Sequence, residues 1–132
     1  MIPTPSAPGG TWVSSAPLLI CTDLDRTLIP NGAQPESAGV RERFAALVAQ
    51  PGLRLAYVTG RHLELVQEAM AAYDLPRPDF IITDVGTRIL MDREEGWRAL
   101  DAWTACLAPD WGDWGPADIA TLLADLPGLY PQ

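Results

Sequence analysis

The chain has 132 residues, of which 48% are hydrophobic and five are tryptophan, and its formal net charge is -8 at pH 7. This length fits a single domain, and the apolar fraction argues against a chain that is disordered throughout. The acidic balance argues against nucleic acid or an anionic membrane as the main partner, and no stretch of about 18 apolar residues is present that could span a bilayer.

The amino-terminal segment is rich in proline and glycine and has neither the basic start nor the sustained apolar stretch of a secretory signal. We therefore expect residues 1–17 to form a flexible arm. The only two cysteines are Cys21 and Cys106. Without an export signal, they favour a reduced, cytoplasmic setting over a disulfide framework.

An apolar run from Leu18 to Thr22 predicts the first strand, which ends on two carboxylates one residue apart. Residues two apart in an extended segment point the same way, so Asp23 and Asp25 can share a crevice while Leu24 enters the core. One carboxylate can then attack a phosphorus atom while the other moves a proton. The pattern predicts phosphoryl transfer from a bound phosphate ester.

Helices and strands alternate after this point. Apolar residues at helical spacing predict a helix over 36–50, and residues 53–58 are typical of a short buried strand. A second helix is expected to begin after Thr59-Gly60-Arg61 and to end before Pro76, and residues 80–83 form the third predicted strand. This order predicts an α/β fold whose parallel sheet is covered by helices.

Ligands of such folds bind at the carboxyl ends of the strands. Three polar segments occupy those positions here: Asp23 and Asp25 after the first strand, Thr59 after the second, and Asp84-Val85-Gly86-Thr87 after the third. Their convergence on one crevice is stronger evidence for a site than any one of the segments.

Two of these segments carry a family resemblance. Asp23-Leu24-Asp25-Arg26-Thr27 resembles the first motif of the haloacid dehalogenase (HAD) superfamily, and Tyr57-Val58-Thr59-Gly60-Arg61 resembles its second. Residues 79–89 are similar to the sucrose-phosphate phosphatase branch, in which a Val-Gly-Thr-like loop follows the third strand. The resemblance runs from about residue 18 to residue 126, and it implies a partial doubly wound, Rossmann-like sheet with flanking helices.

The resemblance also implies a magnesium-dependent phosphatase that acts on a phosphorylated sugar. Asp23 would be the nucleophile that forms an aspartyl-phosphate, and Asp25 would protonate the leaving sugar oxygen and then activate water. Mg²⁺ would be held by Asp23 and Asp25, the latter through its backbone carbonyl. The residues implied in binding the phosphate and the substrate are Thr59, Gly60, Arg61, Gly86 and Thr87.

The superfamily uses a third motif, usually a lysine, that neutralises phosphate charge. This chain contains no lysine, because all nine of its basic residues are arginine. Arg88, Arg93 and Arg98 lie too early in the chain to replace the lysine. Asp84 and Arg88 also stand where sucrose-phosphate phosphatases more often have a small residue and a glutamate, so another phosphorylated sugar is equally compatible.

The fourth motif of the superfamily is Gly-Asp followed by a further acidic residue that completes the metal site. Gly112-Asp113 with Asp118 mimics it, but the preceding segment is a poor strand with a proline inside it. Pro116, followed by regularly spaced leucines, favours a helix cap near Asp113 or Gly115 instead.

We therefore expect residues 18–98 to form a partial HAD-like core and residues 99–132 to form a helical segment leading into a missing cap domain. On this interpretation the chain alone is weakly active or inactive, because electrostatic groups at such sites are commonly worth orders of magnitude in rate. The alternative is a non-catalytic remnant that binds a phosphate ester or a protein partner. An open sheet edge would favour self-association or a complementary fragment.

Four tryptophans lie in the last third of the chain, where aromatic rings can pack in a core, cover a partner or stack on a sugar. Packing in the core or against a partner is favoured. These residues are Trp97, Trp103, Trp111 and Trp114.

Overall fold

The computed structural model describes residues 17–30, 32–33 and 35–128. Three strands form its parallel part, namely β1 (Leu18–Thr22), β2 (Leu53–Val58) and β3 (Phe80–Thr83), with the bounds that the apolar runs predict. Leu18 pairs with Leu53 at one end of β1, and Thr22 pairs with Tyr57 at the other. The predicted arm lies outside the described residues except for Pro17.

A hairpin of two further strands, β4 (Arg88–Arg93) and β5 (Gly96–Ala99), extends the sheet beyond β3. Both pairings of the hairpin are antiparallel, so the five-stranded sheet is mixed, with the order β1-β2-β3-β4-β5. The sequence reading did not identify this hairpin. β1 is consequently an edge strand within the described part of the chain.

Four α-helices accompany the sheet in the described ranges: α1 (Val40–Val48), α2 (Leu63–Ala72), α3 (Asp101–Trp111) and α4 (Pro116–Leu123). None of these helices is long and apolar enough to cross a membrane.

The first predicted helix is wrong at its start, because α1 begins at Val40 and not at residue 36. Gly39 has a φ of 69°, which is a left-handed angle, so the helix cannot extend through it towards residue 36. Glu36 lies before the helix and accepts hydrogen bonds from the guanidinium of Arg41. The segment before Gly112, which reads as a poor strand in the sequence, belongs to α3, and Pro109 lies within that helix.

The core lies where side chains of β2, β3 and β4 meet the inward face of α2 and the loop after β1. Its buried members are apolar, with Tyr57 as the largest fully buried side chain. They are Leu24, Ile29, Leu55, Tyr57, Val66, Ala69, Leu75, Ile81 and Leu90. Two of them, Leu24 and Ile29, belong to the loop after β1, so the core itself fixes the position of that loop.

Candidate active site

The loop after β1 carries the two predicted carboxylates. Leu24 is 0% exposed, whereas Asp23 and Asp25 on either side of it are exposed, as the alternation of an extended segment requires. The carbonyl of Leu24 accepts hydrogen bonds from the backbone N–H groups of Leu28 and Ile29, at 3.0 and 2.8 Å. The buried leucine thus anchors a tight turn and leaves both carboxylates at the surface.

Asp23 directly follows the last residue of β1. Its Oδ1 accepts a hydrogen bond of 2.8 Å from the backbone N–H of Leu24, which fixes the carboxylate relative to the strand. The Asp23 residue as a whole is exposed. An exposed, oriented carboxylate of this kind can serve as a nucleophile or as a ligand for a hard cation.

Asp25 is bound by Arg61, which belongs to the loop after β2. The guanidinium donates from Nε to Oδ2 at 2.9 Å and from Nη2 to Oδ1 at 2.7 Å, in the fork geometry of a bidentate pair. These hydrogen bonds hold the pKa of the Asp25 carboxyl below its ordinary value. Asp25 is therefore a carboxylate in this structure, the form that accepts a proton.

Thr59 is the third residue of the second predicted motif, directly follows β2 and is buried. Its backbone N–H donates to the carbonyl of Ile82 in β3 at 2.9 Å, so the ends of β2 and β3 are joined. Its hydroxyl oxygen accepts from the N–H of Arg61 at 3.2 Å. A hydroxyl that accepts still has its own proton to donate, so this contact is compatible with the predicted hydrogen bond to a phosphoryl oxygen.

The segment after β3 lies against the second motif. The backbone N–H of Asp84 donates to the carbonyl of Arg61 at 3.0 Å. The hydroxyl of Thr87 donates to the carbonyl of Asp84 at 2.9 Å, within its own loop, and Gly86 contributes its carbonyl to the indole N–H of Trp103 at 3.0 Å. Gly86 and Thr87 are thus in the right loop for their predicted role, and their visible polar contacts stabilise that loop.

Arg61 connects all three strand ends, because its side chain binds Asp25 and its carbonyl binds Asp84. The convergence expected from the sequence is therefore present in the contacts. The site residues predicted from the sequence do not include Val85 and Trp103, which also lie in this region. The Val-Gly-Thr pattern gave a signal for the first, whereas only the tertiary fold brings Trp103 to the loop.

The ligand atoms at this site are oxygens, which is the type of ligand that magnesium prefers. Asp23 offers an exposed carboxylate, and Mg²⁺ commonly takes one or two carboxylates and completes its shell with substrate phosphate and water. The carboxylate of Asp25, in contrast, is occupied by Arg61. No group of three or more His, Cys, Asp or Glu side chains that could hold a metal occurs in the part of the chain that the structure describes.

The Gly112-Asp113 segment is a helix boundary, as the capping interpretation predicts. Gly112 ends α3, and Gly115 precedes α4, which begins at Pro116. The carboxylate of Asp118 accepts a hydrogen bond of 2.7 Å from the backbone N–H of Gly115. Asp118 therefore stabilises the start of α4.

Among the tryptophans, Trp97 packs against the core, whereas Trp111 and Trp114 are exposed. Trp103 is partly buried beside the loop after β3. The four tryptophans therefore have three different environments: the core, the loop after β3 and the surface.

Comparisons with known proteins agree with this geometry. Residues 16–132 match the family model for sucrose-6F-phosphate phosphohydrolase. A protein of Nitrosococcus oceani described as a HAD-like hydrolase is 46% identical over 115 residues, which is 87% of this chain and 31% of that protein. A glucosylglycerol-phosphate synthase of Pseudomonas anguilliseptica is 44% identical over 73 residues, covering 55% of this chain and 9% of the relative.

Two solved structures share the fold. The sucrose-phosphatase of Synechocystis, solved in complex with sucrose and phosphate, has a TM-score of 0.61 and 26% identity, covering 89% of this chain and 43% of that one. A haloacid dehalogenase-like hydrolase protein of Bacillus subtilis has a TM-score of 0.58 and 19% identity, covering 86% and 44%. The chain thus spans about a third of the length of the Nitrosococcus relative and less than half of either structure.

Proposed function

Because the chain belongs to the sucrose-6F-phosphate phosphohydrolase family, we propose that it hydrolyses the phosphate monoester of a phosphorylated sugar. The observation that carries this proposal is the contact of Arg61 with Asp25, which joins the two motif loops at the carboxyl ends of β1 and β2. Phosphoryl transfer needs a nucleophile, a proton carrier and an anion site close together. Asp23, Asp25 and Thr59 are residues of those three types.

In the first half of the reaction, a carboxylate oxygen of Asp23 attacks phosphorus and the bond between phosphorus and the sugar oxygen breaks. The leaving oxygen takes a proton from Asp25 and departs as the free hydroxyl. In the second half, Asp25, now a carboxylate, takes a proton from water while that water attacks the phosphoryl group on Asp23. Phosphate leaves, and both aspartates return to their starting forms.

Asp25 must carry a proton when the ester arrives, although Arg61 favours its ionised form. We infer that the substrate phosphate competes for the guanidinium of Arg61, which weakens its hold on Asp25. A guanidinium binds phosphate in the same fork geometry that it uses for a carboxylate. This competition also gives Arg61 a role in holding the phosphate.

Magnesium is proposed as the cofactor, with Asp23 and the backbone carbonyl of Asp25 as its protein ligands. When bound, the cation would offset the repulsion between the Asp23 carboxylate and the phosphate dianion. Among the described residues, few acidic side chains lie close enough together to bind the cation. We therefore expect weak affinity for Mg²⁺ before substrate binds, because the substrate phosphate would supply part of the coordination shell.

The substrate class is a sugar phosphate, and its identity within that class is open. The solved Synechocystis protein is a sucrose-phosphatase, whereas the Pseudomonas relative is named for glucosylglycerol phosphate. Both names describe a glycosidic sugar, which supports a phosphorylated glycoside as the first class to test.

The test is magnesium-dependent release of phosphate from sucrose 6-phosphate and glucosylglycerol phosphate by the purified chain, compared with Asp23→Asn prepared in the same way. We expect slow release that needs both magnesium and Asp23. Equal release by the variant would identify a contaminant. No release from a folded wild-type chain would contradict hydrolysis and favour the second candidate, binding of a phosphate ester without turnover, which the occupied carboxylate of Asp25 supports.

We also propose self-association along β1. It is an edge strand of the described sheet, and its residues Leu18 and Leu19 are 56% and 51% exposed. An exposed apolar edge can pair with the same strand of a second copy. Mass across a concentration series should show a dimer that Leu19→Lys dissociates, and a monomer at every concentration would contradict the proposal.

A further inference from the structure

Three consecutive residues after β3 have a left-handed backbone. The φ angles are 52° at Asp84, 58° at Val85 and 91° at Gly86. Glycine adopts such angles freely, and aspartate does so occasionally, but a β-branched valine rarely does because its side chain crowds the following carbonyl. The conformation at Val85 is therefore strained.

Four hydrogen bonds around the loop maintain this conformation. The hydroxyl of Thr83 donates to the carboxylate of Asp84 at 2.8 Å, and the backbone N–H of Asp84 donates to the carbonyl of Arg61 at 3.0 Å. The N–H and the hydroxyl of Thr87 both donate to the carbonyl of Asp84, at 3.2 and 2.9 Å. Strain of this kind persists only where the surroundings hold it in place.

A further contact comes from α3, far along the chain. The indole N–H of Trp103 donates to the carbonyl of Gly86 at 3.0 Å, across 17 residues of sequence. The loop is therefore fixed from both sides, by the second motif and by α3. Its left-handed path is a defined feature of the fold.

The side chain of Val85, at the centre of this loop, is hardly buried by the fold. Val85 is 85% exposed, which is the highest exposure among the large hydrophobic side chains that are exposed. Its Cγ2 atom lies 3.8 Å from the position that a Cβ on Gly60 would occupy. Gly60 lies between Thr59 and Arg61, so the isopropyl group of Val85 stands beside the proposed phosphate-binding segment. Neither core packing nor backbone preference accounts for a valine here.

We propose that Val85 is a specificity-determining residue, whose isopropyl group forms an apolar wall at the mouth of the site and packs on the C–H groups of the sugar. This inference rests on the proposed function, because it assigns a contact to the alcohol part of the phosphate ester. Sugar rings present apolar C–H faces, and covering part of one with a valine removes apolar surface from water. The phosphate end of the ligand does not need this contact.

The test compares two ligands that cannot be hydrolysed and that share one head group: the phosphonate analogue of glucose 6-phosphate, and methylphosphonate. Binding to the full chain is measured by calorimetry or NMR titration with magnesium present. The variants are Val85→Asn and Val85→Gly, two residues that tolerate a left-handed backbone. We expect both to bind the sugar phosphonate about 5- to 10-fold more weakly and to bind methylphosphonate as the wild type does.

Thermal unfolding gives a second, independent readout. Relief of the strain should raise Tm of both Val85 variants by about 2–6 °C. The matched control is Asp74→Gly, because Asp74 also has a positive φ, of 50°, and lies beyond the carboxyl end of α2, outside the loop after β3. This control should raise Tm without changing the affinity for either phosphonate.

Equal weakening of both ligands, or unchanged affinity for the sugar phosphonate, overturns the assignment of Val85. Failure of hydrolysis alone appears as absent phosphate release and leaves this binding comparison intact, whereas a chain without a phosphate-ester site binds neither phosphonate before any variant is compared. That result overturns both proposals.

Discussion

The guanidinium of Arg61 donates two hydrogen bonds, of 2.9 and 2.7 Å, to the carboxylate of Asp25, although the two residues are 36 positions apart in the sequence. The side chains are 30% and 47% exposed, so the pair lies at the protein surface and is accessible to a ligand. This contact joins the first two motif loops and lowers the pKa of the proposed proton carrier.

Removal of the arginine should change the acidity of Asp25. We expect Arg61→Ala to raise the pKa of Asp25 towards the ordinary aspartate value of about 3.9, because the hydrogen bonds that lower it are lost. An NMR titration of the labelled Asp25 carboxyl carbon measures this directly. An unchanged titration of Asp25 in the variant would contradict the role assigned to Arg61.

The same pair predicts how stability depends on pH. A lowered folded-state pKa means that the stabilisation is present above the unfolded pKa and is lost as pH falls through the folded one. Wild type and Arg61→Ala should therefore differ by at most about 1 kcal/mol near neutral pH and converge in acid. The control is Arg77→Ala, which breaks a similar bidentate pair with Asp92 and should leave the titration of Asp25 unchanged.

Tyr57 is fully buried, and its hydroxyl donates a hydrogen bond of 2.6 Å to the carbonyl of Pro76. We expect Tyr57→Phe to lower the free energy of unfolding by about 1–2 kcal/mol, because a partly buried carbonyl loses its donor. Urea denaturation measures this change. Tyr73→Phe, at an exposed tyrosine, is the control and should have little effect.

Alkaline pH provides a second check on Tyr57. Burial raises the pKa of this tyrosine to about 12. Its contribution to stability is therefore present below the ordinary tyrosine pKa of about 10 and is lost as pH rises through the folded value. Tyr57→Phe should remove this part of the alkaline loss of stability, and an identical pH dependence in both proteins would count against the burial effect.

Substitution of Asp118 tests whether this residue caps α4 or binds the metal ion. Loss of its bond to the N–H of Gly115 in Asp118→Ala should destabilise the protein by about 0.5–1 kcal/mol. Magnesium titrations of phosphate release should be unchanged, with Asp125→Ala as a control in the turn that follows α4. A large rise in the magnesium concentration needed for half-maximal release would restore the metal-ligand interpretation.

Leu24 should dominate the stability of the loop after β1. It is completely buried between the two aspartates, and Leu24→Ala should cost about 2–5 kcal/mol through lost burial and a residual cavity. Chemical denaturation tests this, with Leu65→Ala on the exposed side of α2 as the control. A cost below about 1 kcal/mol would mean that the loop is not anchored by this residue.

The three parallel strands, and the polar segments that follow them, could be predicted from the sequence because their signals are local. An uninterrupted apolar run, followed by a polar segment, marks each strand, and the edge that the three share places Asp23, Asp25 and Thr59 together. Pro116 similarly marks the start of α4. These features depend on neighbouring residues and need no tertiary information.

The hairpin of β4 and β5 was missed because its stabilising contacts come from elsewhere in the chain. Charged residues interrupt its apolar alternation, and Arg77, outside the hairpin, binds Asp92 and stacks 4.8 Å from the ring centre of Trp97. Residues 99–132 were expected to be helical, but Pro109 obscured the bounds of α3 within that segment. The pairing of Arg61 with Asp25 and the contact of Trp103 with Gly86 were also beyond sequence reasoning, since each joins loops that only the folded sheet brings together.

The most direct test of the proposed mechanism is to look for a phosphoryl group on Asp23. The chain is mixed with magnesium and a sugar phosphate, quenched in acid during turnover and digested, and the peptides are analysed by mass spectrometry, with Asp23→Asn treated identically. The mechanism predicts a phosphorylated peptide whose label maps to Asp23 and is absent from the variant. A label on another residue, or a folded wild-type chain that never acquires one, would contradict it.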